Sequence, residues 1–100
     1  MENTEIRVKI LLSIQRALLG MIYSSIRAIA VGFEKTEKLK VIYYLDKKPT
    51  EDDYDSISEV TTEVLADIDF SEVEEKCIFT LEPISKLDKL NSWVYMRKEL

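Results

Sequence analysis

Eleven carboxylates and not one lysine or arginine fall within residues 50–75, TEDDYDSISEVTTEVLADIDFSEVEE. Side chains of this type can move protons, hold a cation, or attract a positively charged surface. Proton chemistry needs a carboxyl kept in an apolar pocket that raises its pKa, and abundance alone supplies no such pocket. Calcium binding needs oxygen ligands at set intervals. DIDFSEVEE lacks the glycine and the alternating Asp/Asn spacing of an EF-hand loop. The chain has no histidine, the commonest general base and metal ligand. Cys77 sits among apolar neighbours with no imidazole to activate it and reads as a core thiol. Gly20 and Gly32 are isolated, so there is no phosphate-cradling loop. No catalytic, cofactor-binding or metal-binding residue is assigned, and the sequence reads as that of a non-enzyme.

Attraction of a positive partner is the remaining chemistry, and it depends on how a helix would present the charge. Pro49 precedes Thr50, a good N-cap, and Asp53 stands three positions later, as in a capping box with Asp in the Glu/Gln place. Glu51, Asp52 and Asp53 favour the positive end of the helix dipole. Ile57, Val60, Val64, Leu65 and Ile68, with Thr61 among them, then form an apolar stripe. At 100° per residue Asp52, Asp55, Glu59 and Glu63 occupy the opposite, outward face. Asp67, near which the helix should end, and Asp69 and Glu72 beyond it extend the same potential. Asp55–Glu59 and Glu59–Glu63 are like-charge neighbours at i, i+4, where opposite charges would each stabilise by a few tenths of a kcal/mol. A face that gives up this stability suits a basic partner. Nucleic acid is not that partner, because its phosphates would be repelled.

The rest of the chain must place this helix. Residues 4–23 repeat Ile6, Ile10, Ile14, Leu18 and Ile22 every fourth position, which predicts a helix. Val8, Leu12 and Leu19 widen its apolar surface. Ile29, Val31 and Phe33, then Leu39, Val41, Tyr43 and Leu45, alternate as two strands joined by the short polar EKTEK. The other face of this hairpin carries Ala28, Ala30 and Gly32 with Tyr44, a shallow surface able to receive another molecule. Cys77, Phe79 and Leu81 alternate in a third strand before Pro83. WVYMR closes the domain as a fourth, with Val94 and Met96 expected inward and Trp93 and Tyr95 outward. Tyr44, Trp93 and Tyr95 are the candidate aromatic anchors for a partner, since such residues often dominate interface energy. The expected fold is α+β, in the order α-β-β-α-β-β. Two helices pack on one face of a largely antiparallel four-stranded sheet.

One hundred residues are the size of a single domain, 1–100. With 46% hydrophobic residues such a chain can build one core and bury roughly 60–70% of its unfolded surface. A single cysteine forms no internal disulfide, which fits a reducing compartment. The opening MENTE reads as no export signal, and the apolar run 10–33 is too interrupted to span a membrane. Cytoplasmic location is expected. Eight of the 19 acidic residues lie outside residues 50–75, together with all 14 basic ones, so the formal −5 combines an acidic segment with a remainder of +6.

Several segments taken together are similar to a known family. LLSIQRALLG, RAIAV, YYLDKKPTEDDYDSISEVTTEVLADIDF and WVYMRKE resemble small bacterial immunity proteins of contact-dependent growth inhibition and related polymorphic toxin systems. The resemblance covers most of the chain and carries no catalytic signature. It implies a cytoplasmic, non-enzymatic inhibitor that binds the C-terminal domain of a cognate toxin, often a nuclease acting on tRNA, rRNA or DNA. It transfers no contact residue by motif. The alternative reading is a small acidic homodimer, built on the broad first helix, with a structural or regulatory role and a non-toxin partner.

Overall fold

The computed structural model describes residues 2–99. Its elements are α1 (Glu2–Ala17), β1 (Ile26–Glu34), β2 (Lys38–Leu45), α2 (Glu51–Asp67), β3 (Glu72–Phe79), a 3-10 turn (Ile84–Lys86) and β4 (Ser92–Met96). The expected α+β architecture and element order are present. The four strands form one sheet in the order β3-β2-β1-β4. β1 pairs antiparallel with β2 and with β4, whereas β2 and β3 run parallel. The parallel pair follows from the connection: α2 returns the chain to the end of the sheet where β2 began, as a crossover helix must.

Both helices lie on the same face. Ile10, Ile14 and Leu18 from the α1 side, and Ile57, Val60 and Val64 from α2, form one core with Ile29, Val31, Leu39, Val41, Tyr43 and Leu45 of the hairpin. α1 ends at Ala17, earlier than its four-residue repeat suggests. Gly20 takes a positive φ of 76° there, a conformation costly for other residues, and the chain reverses. Ile22 therefore leaves the stripe and is exposed, and Val8, Leu12 and Leu19 also face solvent.

The opposite face of the sheet is covered by the chain itself. Residues 80–91 fold across it, so that Ile84, Leu87 and Leu90 pack with Trp93 on Ala28, Ala30, Ile42 and Tyr44. The small side chains of β1 thus admit an internal loop, and the shallow face is not open to another molecule. Gly32 marks the closest approach: a Cβ there would sit 3.2 Å from the Leu90 Cβ. Gly32→Ala should cost about 1 kcal/mol through overpacking, read as a lower denaturation midpoint in urea.

β4 departs from simple alternation. Tyr95 lies opposite Ile29, but Trp93 lies opposite Ala30, leaving Val94 as an extra, bulged residue. Val94 and Tyr95 consequently both pack toward the helices, while Trp93 packs against the loop side and Met96 is exposed. The expectation of Val94 and Met96 inward with Tyr95 outward is corrected for Met96 and Tyr95. Beyond β4, Glu99 closes a clasp on buried Arg27, at 2.9 and 2.8 Å, while Arg27 also donates to the Thr80 carbonyl at 2.8 Å.

Candidate partner-binding surface

The acidic helix is anchored at its first turn. Asp53 is 3% exposed and its carboxylate accepts from the Thr50 backbone N–H at 2.8 Å and the Thr50 hydroxyl at 3.1 Å. Lys47 reaches the same oxygen, Oδ2, at 2.5 Å, and Tyr23 donates to Oδ1 at 2.6 Å. Burial alone would raise the Asp53 pKa, but the donors from Lys47, Tyr23 and Thr50 outweigh it and hold the group at about 2. The Arg27 and Arg97 guanidiniums likewise hold Glu99 at about 2. Both values lie below those of an unfolded chain, so these groups contribute stability above about pH 4.3 that is lost as pH falls toward 2. Acid titration monitored by circular dichroism should show the loss in that window.

Fixing Asp53 fixes the rotation of α2. Ile57, Val60, Thr61 and Val64 are buried on the inner side. Asp52, Asp55, Glu59 and Glu63 are all exposed on the outer side, and none has an ion-pair partner among the described residues. Asp55, Ser58, Glu59, Thr62 and Glu63 line a shallow open groove along the helix. Asp69 and Glu72 are also exposed, in the connection after α2 and at the start of β3, and also without an ion-pair partner among the described residues.

Three other carboxylates of the segment are engaged internally. Asp67 accepts from the Ser13 hydroxyl at 2.8 Å and from Arg16 at 3.2 Å, ties α1 to α2, and so is partly neutralised. An anion is unfavourable at a helix C-terminus, and Arg16 offsets that. Glu74 lies among Lys38, Lys40 and Lys76 at 3.3–3.6 Å. Glu75 accepts from Ser58 and Thr61 of α2.

The aromatic candidates do not join the acidic face. Tyr44 is 4% exposed, donates to the Asp88 carbonyl at 2.9 Å, and packs edge-on against Trp93 with ring centroids 5.9 Å apart. It lies beneath the chain's own loop and has no surface to offer. Trp93 and Tyr95 are half-buried on β4, at the far edge of the sheet from β3. The aromatic residue beside the carboxylates is Tyr54, 45% exposed, whose hydroxyl reaches the Cys77 carbonyl of β3 at 3.4 Å. Its signal in the sequence is the i, i+4, i+7 spacing of Tyr54, Ser58 and Thr61, which places them on the flank facing β3.

Burial pushes the Cys77 thiol up to about 11, away from a reactive thiolate. Among the described residues no cluster of three His, Cys, Asp or Glu is placed to hold a metal, and no helix is long and apolar enough to cross a membrane. The outer face of α2 is one-signed, with Asp52, Asp55, Glu59 and Glu63 exposed. A family model described as MafI2 immunity protein matches residues 7–99. The chain belongs to the MafI2 immunity protein family.

This membership agrees with the resemblance drawn from the sequence. A MafI2 immunity protein neutralises a cognate toxin, and the family implies an inhibitor and not a catalyst. No curated protein matches this MafI2 family member. The residues through which it meets its toxin are therefore argued from its own surface.

Proposed function

We propose that this immunity protein neutralises a basic nuclease toxin domain by stoichiometric binding in the bacterial cytoplasm, using the outer face of α2. The observation that carries the reading is the row Asp52, Asp55, Glu59 and Glu63, exposed and without cationic partners among the described residues. A nuclease must present lysines and arginines to the phosphates of its substrate. Carboxylates on a rigid helix can occupy those phosphate sites and speed encounter. Asp69 and Glu72 extend the field toward β3. Tyr54 is the anchor beside the row, while Trp93 and Tyr95 would engage only a partner that reaches the opposite sheet edge. Co-expression with its cognate toxin domain should restore growth to cells that the toxin alone arrests. Failure to rescue while the folded protein accumulates would remove the reading.

A second reading, self-association, is favoured by Val8, Leu12 and Leu19, which are 50%, 54% and 78% exposed on and just after α1. Sedimentation at micromolar concentration separates the two: a dimer supports this reading, a monomer discards it.

A further inference from the structure

The sheet ends on one side in a strand that is unusually open. β3 is an edge strand of eight residues, unbroken in register from Lys38↔Glu72 to Leu45↔Phe79. In a parallel ladder alternate residues direct both N–H and C=O toward the neighbouring strand. Glu72 donates to the Glu37 carbonyl at 2.9 Å and Thr80 to the Leu45 carbonyl at 3.1 Å, so the even-numbered residues face β2. Val73, Glu75, Cys77 and Phe79 therefore turn their N–H and C=O groups outward. Among the described residues only the Cys77 carbonyl meets a partner there, the Tyr54 hydroxyl at a long 3.4 Å. The other edge differs: β4 has five residues and carries the Val94 bulge, which blunts it against pairing.

The surroundings of the open edge select its occupant. Ser58 bonded to Glu75 shows that α2 lies directly above β3. Ser58 also shares one groove on α2 with Asp55, Glu59, Thr62 and Glu63, so the acidic face adjoins the flank of the helix that meets β3. We infer that β3 is completed by an extended, lysine- or arginine-bearing segment of the toxin domain, added as a fifth strand. Its backbone would pair with Val73, Glu75, Cys77 and Phe79, and alternate side chains would meet the α2 carboxylates. The inference rests on the acidic-face reading and gives it a binding mode. A second copy of this chain fits less well. Joining two β3 edges would bring two α2 helices onto one face of a continuous sheet, each bearing Asp55, Glu59 and Glu63, and like charges would oppose.

Residue-resolved amide exchange tests this on the intact protein, free and mixed with its cognate toxin domain. Complex formation is first established by co-elution. The amides of Val73, Glu75, Cys77 and Phe79 should then slow by about 100-fold or more, while those of Glu74, Lys76 and Ile78, already in the ladder, change little. Glu75→Pro removes one outward N–H without touching a bond to β2, so it should weaken binding about 10-fold or more beyond Glu75→Ala. A complex in which the odd-numbered amides exchange as in the free protein overturns the fifth strand and leaves the acidic-face reading standing. The absence of any complex overturns both. Protection of the same amides in the protein alone, rising with its concentration, makes the occupant a second copy and also overturns the inference.

Discussion

Reversing Glu59 and Glu63 to lysine should slow association with the toxin domain by about 10- to 100-fold at low ionic strength, with a much smaller effect on dissociation. The expectation rests on the exposure of both carboxylates and the lack of a cation within ion-pair distance of either among the described residues. Long-range steering falls with salt, so the variant and the parent should converge near 0.5 M, where the Debye length is only a few ångströms. Stability should move the opposite way. Glu59→Lys alone replaces two like-charge i, i+4 pairs, with Asp55 and with Glu63, by two attractive ones, and should raise stability by about 0.5 kcal/mol. A variant that is more stable and slower to bind would show that the helix carries its charge for recognition. Stopped-flow association and urea melts measure the two quantities. An unchanged association rate would move the docking surface elsewhere.

The second large effect lies at the base of the same helix. Asp53→Ala should destabilise the fold by about 2–4 kcal/mol, from the lost cap and the stranded Tyr23 and Lys47 donors. For a chain of this length that lowers Tm by roughly 10–25 °C. Asp53→Asn keeps an acceptor for Thr50 but removes the charge facing Lys47, and should fall between the two. The difference between parent and Asp53→Ala should shrink between pH 4 and pH 2. The ionised group is held at about 2 in the folded chain, and its protonation removes much of what the substitution removes. A constant difference across that range would mean that shape, not charge, accounts for the loss.

The helix bearing these residues was the most legible part of the molecule. Thr50, Asp53 and the stripe from Ile57 to Ile68 fix its start, its rotation and its outward face by local rules, and the structure buries that stripe except for Leu65, which lies at its margin and is exposed. The hairpin was equally plain, since period two over eight residues has few competitors. Other features do not follow from a hydrophobic repeat. The early end of α1 turns on Gly20, whose positive φ interrupts an apolar repeat that continues through Ile22. The bulge at Val94 reverses the sides of Tyr95 and Met96, and five residues of alternating sequence contain no sign of it. Tyr44 looked exposed because the loop that covers it lies some forty residues away. Within the charged segment, residue type could not separate Asp67 and Glu74, matched by cations, from Glu59 and Glu63, which lack them.

The separation between the two sides of α2 has a consequence for the contest between poison and antidote. Ile57, Val60, Thr61 and Val64 hold the helix in place, and none of Asp52, Asp55, Glu59 and Glu63 takes part in that packing. Exchanges at such solvent positions ordinarily shift folding by less than about 0.5 kcal/mol. Under the recognition role proposed for this face, the address on the outside can be rewritten a codon at a time, each step leaving a properly built scaffold, so a lineage can follow a changing adversary without first repairing its own architecture.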